Sequence, residues 1–146
     1  MIRYLVSLIV LLIGIFLINF FTGGTIPNLL NIYSFMIIGI FPIIFVCILY
    51  GIKDTVSAFL ILTKNEQNNE NLLKALNFFK LFGKITWITG IVAIIIIAVT
   101  MLVYLEDRNG LGPNLHTILI TLLYCGVINI GVIIPYSTLI KRKILK

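Results

Sequence analysis

Residues 4–52 read YLVSLIVLLIGIFLINFFTGGTIPNLLNIYSFMIIGIFPIIFVCILYGI, without one Asp, Glu, Lys or Arg. As a single helix this stretch would measure about 73 Å at 1.5 Å per residue, more than twice the hydrocarbon thickness of a bilayer. It must therefore turn. Thr22-Gly23-Gly24-Thr25-Ile26-Pro27-Asn28 supplies the turn, because two glycines, a proline and an asparagine in seven positions disfavour continued helix. The reading is a pair of membrane spans, at about 4–21 and 33–52. Two more charge-free stretches follow, 85–105 and 109–140, which give one span and one long span. The short polar turn 106–112 separates them, and Pro113 suits the first turn of the fourth span, 113–140, where its missing N–H goes unused.

Composition agrees. Of 146 residues, 60% are hydrophobic and 11% charged, with a mean hydropathy of +1.16; a soluble domain carries about 25% charge. The expected fold is an all-α integral membrane protein, one domain over 1–146. It has four transmembrane helices and a helical cytoplasmic extension between spans two and three. The apolar core of the first span exceeds the roughly 7–15 residues of a signal peptide, and no small-x-small cleavage site follows, so it is expected to remain as a span. Nucleic-acid binding is excluded despite a pI near 9.5, because the basic residues sit at membrane edges rather than on a folded basic face. Cys47 and Cys125 fall inside spans and read as small apolar fillers.

Orientation follows from the basic residues. With four spans both termini share a side, and that side receives every Lys and Arg except Arg108. By the positive-inside rule the termini and the segment 53–84 are cytoplasmic. Within that segment, 64–71 (KNEQNNEN) is a polar linker. After it, Lys74, Asn77, Lys80 and Lys84 recur every three or four positions among Leu and Phe, a narrow wet stripe on a helix that Asn69 or Asn71 could cap. Two readings fit it: an interfacial helix lying on anionic lipid, or an extension of span three that packs on its neighbours.

No titratable acid or base lies inside any span; His116 is only about three residues into span four. A proton-coupled exporter of four helices would need a carboxylate at membrane depth, so that class is disfavoured. The sequence has no Cys/His metal cluster, no phosphate-binding glycine loop and no nucleophile beside a base, so neither enzymatic activity nor a cofactor is expected. What remains is polar patterning. Thr117, Thr121, Cys125 and Asn129, spaced by four, make one stripe down span four, with Tyr124 beside it. Thr86, Gly90, Ala93, Ile97, Thr100 and Tyr104 make a similar stripe on span three. Such stripes commonly mark close helix–helix contact. An unpaired amide in hydrocarbon costs roughly 4 kcal/mol or more, so Asn129 should face protein or a wet cavity.

Leu111-Gly112-Pro113, then Leu119, Thr121, Leu123-Tyr124, Asn129 and Pro135, resemble the last helix of the MotA/TolQ/ExbB proton-channel family. Gly90-Ile91-Val92-Ala93 resembles that family's preceding helix, and Gly23-Gly24, Ser34 and Gly39 its first hairpin more weakly. The resemblance implies a homo-oligomer, a pentamer, in a bacterial inner membrane, surrounding a single-span ExbD- or MotB-like partner that supplies the ion-carrying carboxylate. It implies that Thr121 lies by the ion path, that Tyr124, Asn129 and Pro135 shape the pore-lining helix, and that Pro135 bends it. The sequence departs from the pattern at Ile94 and Leu122, where relatives carry threonines, at Cys125, where glycine is usual, and at Trp87, where proline is frequent. These changes make the implied pore thinner in hydroxyls and drier, and the large cytoplasmic insert of flagellar stators is missing. Two functions follow as expectations: an ion-channel-forming subunit of a proton- or sodium-driven complex, or a non-conducting scaffold that assembles around a partner helix and positions it.

Overall fold

The structure is a computed structural model; it describes residues 2–62, 68–103 and 108–145, with side chains over 6–62, 68–103 and 110–145. The described residues are helical throughout, joined by short turns, and contain no strand. Helix α1 spans Ile2–Phe21. A 3-10 turn at Ile26–Leu29, with Pro27 inside it, leads to α2, Ile32–Tyr50. Gly51, at φ +82°, stops α2 and starts α3, Ile52–Leu60; a side chain there would be strained, which is why the break falls on glycine. Helix α4 is one rod, Asn69–Val103. Helix α5 runs Arg108–Ile128, continues through a π turn at Asn129–Ile133, and ends as Ile134–Ile144.

Three of these, α2, α4 and the stretch Gly110–Ile144, are long and apolar enough to cross a membrane, while the described apolar part of α1, Val6–Phe21, is shorter. Large apolar side chains on all of them remain exposed, Ile18 at 68%, Ile48 at 76% and Ile96 at 60% among them. That surface is untenable in water over so much of a chain and ordinary against lipid. The protein is a membrane protein.

Contacts fix the arrangement. Gly90 of α4 lies against Cys125 of α5 and near Ile38 of α2, and Gly83 lies against Asn129 and Ile133. The ring of Phe79 lies 4.9 Å from that of Tyr136, and Phe78 5.5 Å from Tyr50. Going down α4 in number therefore means going up both α2 and α5, so α4 is antiparallel to each. Helix α1 docks on the π turn of α5, with Gly131 leaving room for Leu11.

The two π turns have one cause. At Met36–Ile40 and Asn129–Ile133 the ladder widens so that the Phe41 N–H reaches Met36 O and the Ile134 N–H reaches Asn129 O. The second residue after each turn is a proline, Pro42 and Pro135. A proline ring clashes with the carbonyl four residues back, here Ile38 and Gly131, and both lie inside the widened turn.

At the end where α2 stops, α4 begins and α5 finishes, Phe59 of α3 sits edge-on to Phe78, Phe79, Phe82 and Tyr136. Phe78, Phe79 and Phe82 form a buried core with Leu72, Ala75, Leu76 and Ile140, and Phe59 and Tyr136, half-buried, pack against it. The segment after the linker thus extends α4 and packs on its neighbours, while Lys74, Asn77, Lys80 and Lys84 stay exposed. At about 52 Å, α4 outruns the hydrocarbon by several turns.

Some boundaries differ from the sequence reading. Asn68, not Asn69 or Asn71, caps α4: its Oδ1 accepts from the Glu70 N–H at 2.9 Å. Helix α5 already begins at Arg108, so 108–112 is helical rather than a turn and Pro113 falls inside the helix, costing one ladder bond. The linker positions 64–67, Tyr104 and the turn residues Glu106 and Asp107 lie outside the described residues.

Candidate functional site

The polar stripe of α5 meets α2. Where the chain leaves the 3-10 turn, Asn31 caps α2 by accepting from the Ser34 N–H at 3.1 Å. The same amide donates through Nδ2 to Thr117 Oγ1 at 3.2 Å. One turn on, Ser34 Oγ lies 2.9 Å from Thr121 Oγ1, and both side chains have no exposed surface. Thr121 Oγ1 also lies 2.7 Å from Thr117 O, and Ser34 Oγ lies 3.4 Å from the same carbonyl. Either hydroxyl can therefore be the donor between the two, the other donating to Thr117 O. Tyr124 holds the entry: its hydroxyl donates to Leu29 O at 2.8 Å and accepts from the Asn31 N–H at 3.2 Å. His116, exposed, contacts Asn28 O at 2.8 Å through Nε2.

Deeper along α5 the stripe turns to α4. Cys125, 1% exposed, directs Sγ at Thr86 O, 3.6 Å away. Gly90 faces Cys125 so closely that a Cβ would collide with Sγ. Asn129, 8% exposed, donates from Nδ2 to Cys125 O at 2.9 Å, and its Oδ1 lies over Gly83. Thr86 is enclosed and bonds back to Phe82 O at 2.8 Å. Among the described residues no buried side-chain polar atom lacks a partner.

Thr117, Thr121, Cys125, Asn129 and Tyr124 thus stand on one seam, and Gly90 and Ala93 close it from α4. Ile94, Ile97 and Pro135 are half-buried. Thr100 is exposed and bonds only to Ile96 O at 2.9 Å. The α4 stripe is therefore inside the chain as far as Ala93 and at its surface by Thr100. Asn31 is a member of the seam that the sequence reading missed, and Ser34 is one it met only through the family resemblance. The available signal was the Asn31-x-x-Ser34 spacing at a helix start, which is that of a side-chain cap. No group of three or more His, Cys, Asp or Glu comes together among the described residues.

Chemically the seam offers hydroxyls, two amides, a thiol and a phenol, each already engaged inside the chain. It can hold helices in register. Comparison with protein-family models, with curated proteins and with solved structures finds no match for this chain.

Proposed function

We propose that this chain is a non-conducting scaffold in a bacterial inner membrane. It crosses four times, α1 included, with both termini cytoplasmic, and it assembles as a homo-oligomer around a single-span partner that it positions. The observation that carries the reading is the closure of the seam. Thr121, the residue that the family resemblance sets beside an ion path, has no exposed surface and is hydrogen-bonded to Ser34 of α2 within one chain. An ion path needs its hydroxyls free to replace hydration. Here they are occupied in holding α2 to α5.

Orientation is supported by the meeting of Tyr50, Phe78 and Tyr136 at one end, which collects Lys53, Lys74, Lys80 and Lys141–Lys143 there, while Asn28 and His116 meet at the other. The partner and the oligomer rest on the resemblance to the MotA/TolQ/ExbB family.

The second reading is the ion-channel-forming subunit of a proton- or sodium-driven complex. The paired π turns favour it, since such turns recur at functional sites and here flank the seam on both helices. Proteoliposomes holding the chain with its co-purified single-span partner separate the two. The scaffold passes no protons under an imposed potential of either sign. Partner-dependent flux that falls with Thr121→Val would establish the channel and overturn the scaffold.

A further inference from the structure

At the basic end, α3 and the first turns of α4 enclose a cavity of about 390 Å³. Its floor is apolar: Tyr50, Ala58, Ile61, Ala75 and Phe78. Its mouth is polar, with Asp54 and Ser57 on the α3 wall and Asn71 and Lys74 on the α4 wall. Asp54 and the side chain of Lys74 thus line one small space whose base is apolar, with Lys74 Nζ bonded to Glu70, which lies outside that lining.

The level of this cavity matters. The charge-free sequence that holds α2 ends at Ile52, and that of α5 at Ile140. The rings of Tyr50 and Phe78 touch at 5.5 Å, so the floor is level with the end of α2 and the mouth lies just beyond it. That places the cavity where hydrocarbon gives way to headgroups. Lys74 is bonded to Glu70 at 2.8 Å, but an ammonium has three donors and two remain.

We propose that this cavity binds the headgroup of a zwitterionic phospholipid that carries a primary amine, a phosphoethanolamine lipid of the inner leaflet. Lys74 takes the phosphate, Asp54 accepts from the ammonium, and the start of an acyl chain lies over Phe78 and Ile61. A choline headgroup fits less well, because its methylated nitrogen has no N–H to donate to Asp54. A purely anionic headgroup gains Lys74 and meets Asp54 as a like charge. The inference does not depend on whether the chain conducts, and its choice of leaflet rests on the orientation proposed above.

The test is native mass spectrometry of the full chain released from nanodiscs of equal parts phosphatidylethanolamine, phosphatidylcholine and phosphatidylglycerol with identical acyl chains. Bound phosphatidylethanolamine should exceed each competitor about fivefold, in keeping with one charge-assisted hydrogen bond at a partly wet site. Asp54→Asn should equalise the ethanolamine and choline lipids, and Lys74→Gln should lower both. Asn77→Ala, exposed on the same helix but outside the cavity, should change neither. Equal retention of all three lipids by the unaltered protein, or a preference that survives both Asp54→Asn and Lys74→Gln, would overturn the proposal. A further arm adds soluble glycerophosphoethanolamine. Displacement of the lipid only at large excess supports a lipid ligand, whereas tight binding of the soluble headgroup without lipid enrichment refutes it. Retained helical circular dichroism in each variant excludes misfolding as the cause.

Discussion

Thr121 shows what one hydroxyl does in a membrane helix. Its hydroxyl lies 2.7 Å from the Thr117 carbonyl of its own helix, a bond that does not tie helices together. The tie is the second hydroxyl, Ser34, which shares a hydrogen bond with it across the seam at 2.9 Å and reaches the Thr117 carbonyl at 3.4 Å. Hydrogen bonds between membrane helices average about 0.6 kcal/mol and reach about 1.7 kcal/mol, because the separated helices find other partners. A double-mutant cycle of Ser34→Ala and Thr121→Val should therefore return a coupling of about 1 kcal/mol, read by steric trapping in bicelles. Strictly additive effects would mean that the two hydroxyls do not bond. Asn129 is the residue whose environment was readable in advance. An amide is too costly to leave in hydrocarbon, so its burial against Cys125 and Gly83 follows from its chemistry alone. Ser34 was not readable in this way, since a lone serine can satisfy itself on its own backbone.

At the scale of elements, three of the four expected spans were legible because charge is so expensive at membrane depth that its absence marks them; the first, Val6–Phe21 where described, is shorter. Their rotation was not. Helix α2 is apolar all round, so no face of its sequence announces which neighbour it meets, and Ser34 and Ile38 become inner positions only when α5 and α4 are present. The π turns were equally hidden: Pro42 and Pro135 announce a disturbance, and the widening that absorbs it is chosen by the whole helix. The first turns of α4 are the reverse case, with their wet stripe of Lys74, Asn77, Lys80 and Lys84 visible in the sequence and exposed in the structure. Helix α3 is held to them chiefly by Phe59, wedged edge-on among four rings. Phe59→Ala should cost about 2–3 kcal/mol, below the full price of a wholly enclosed ring because Phe59 is half-buried. Amide hydrogen exchange should rise across 52–60 and stay unchanged around Thr86 and Gly90. An unaltered 52–60 would show that something else docks α3.

The whole molecule is a polar seam wrapped in an apolar coat, with basic residues collected at one end. If that end is cytoplasmic, Arg142→Cys should react with a membrane-impermeant thiol reagent only after lysis of spheroplasts, and Asn28→Cys in intact ones, both in a background of Cys47→Ala and Cys125→Ala. The opposite pattern would invert the topology.

The scaffold reading stands on the seam being shut inside one chain, and this can be asked of the two residues that shut it. With Ser34→Cys and Thr121→Cys in the same cysteine-free background, mild oxidation in native membranes should join the two positions within a single chain in high yield. Thr121→Cys alone should neither link one copy to another nor react with a water-soluble cationic thiol reagent. Thr121→Cys that is modified from water, or that cross-links between copies while the pair within one chain stays reduced, would put this residue on a pore and contradict the account.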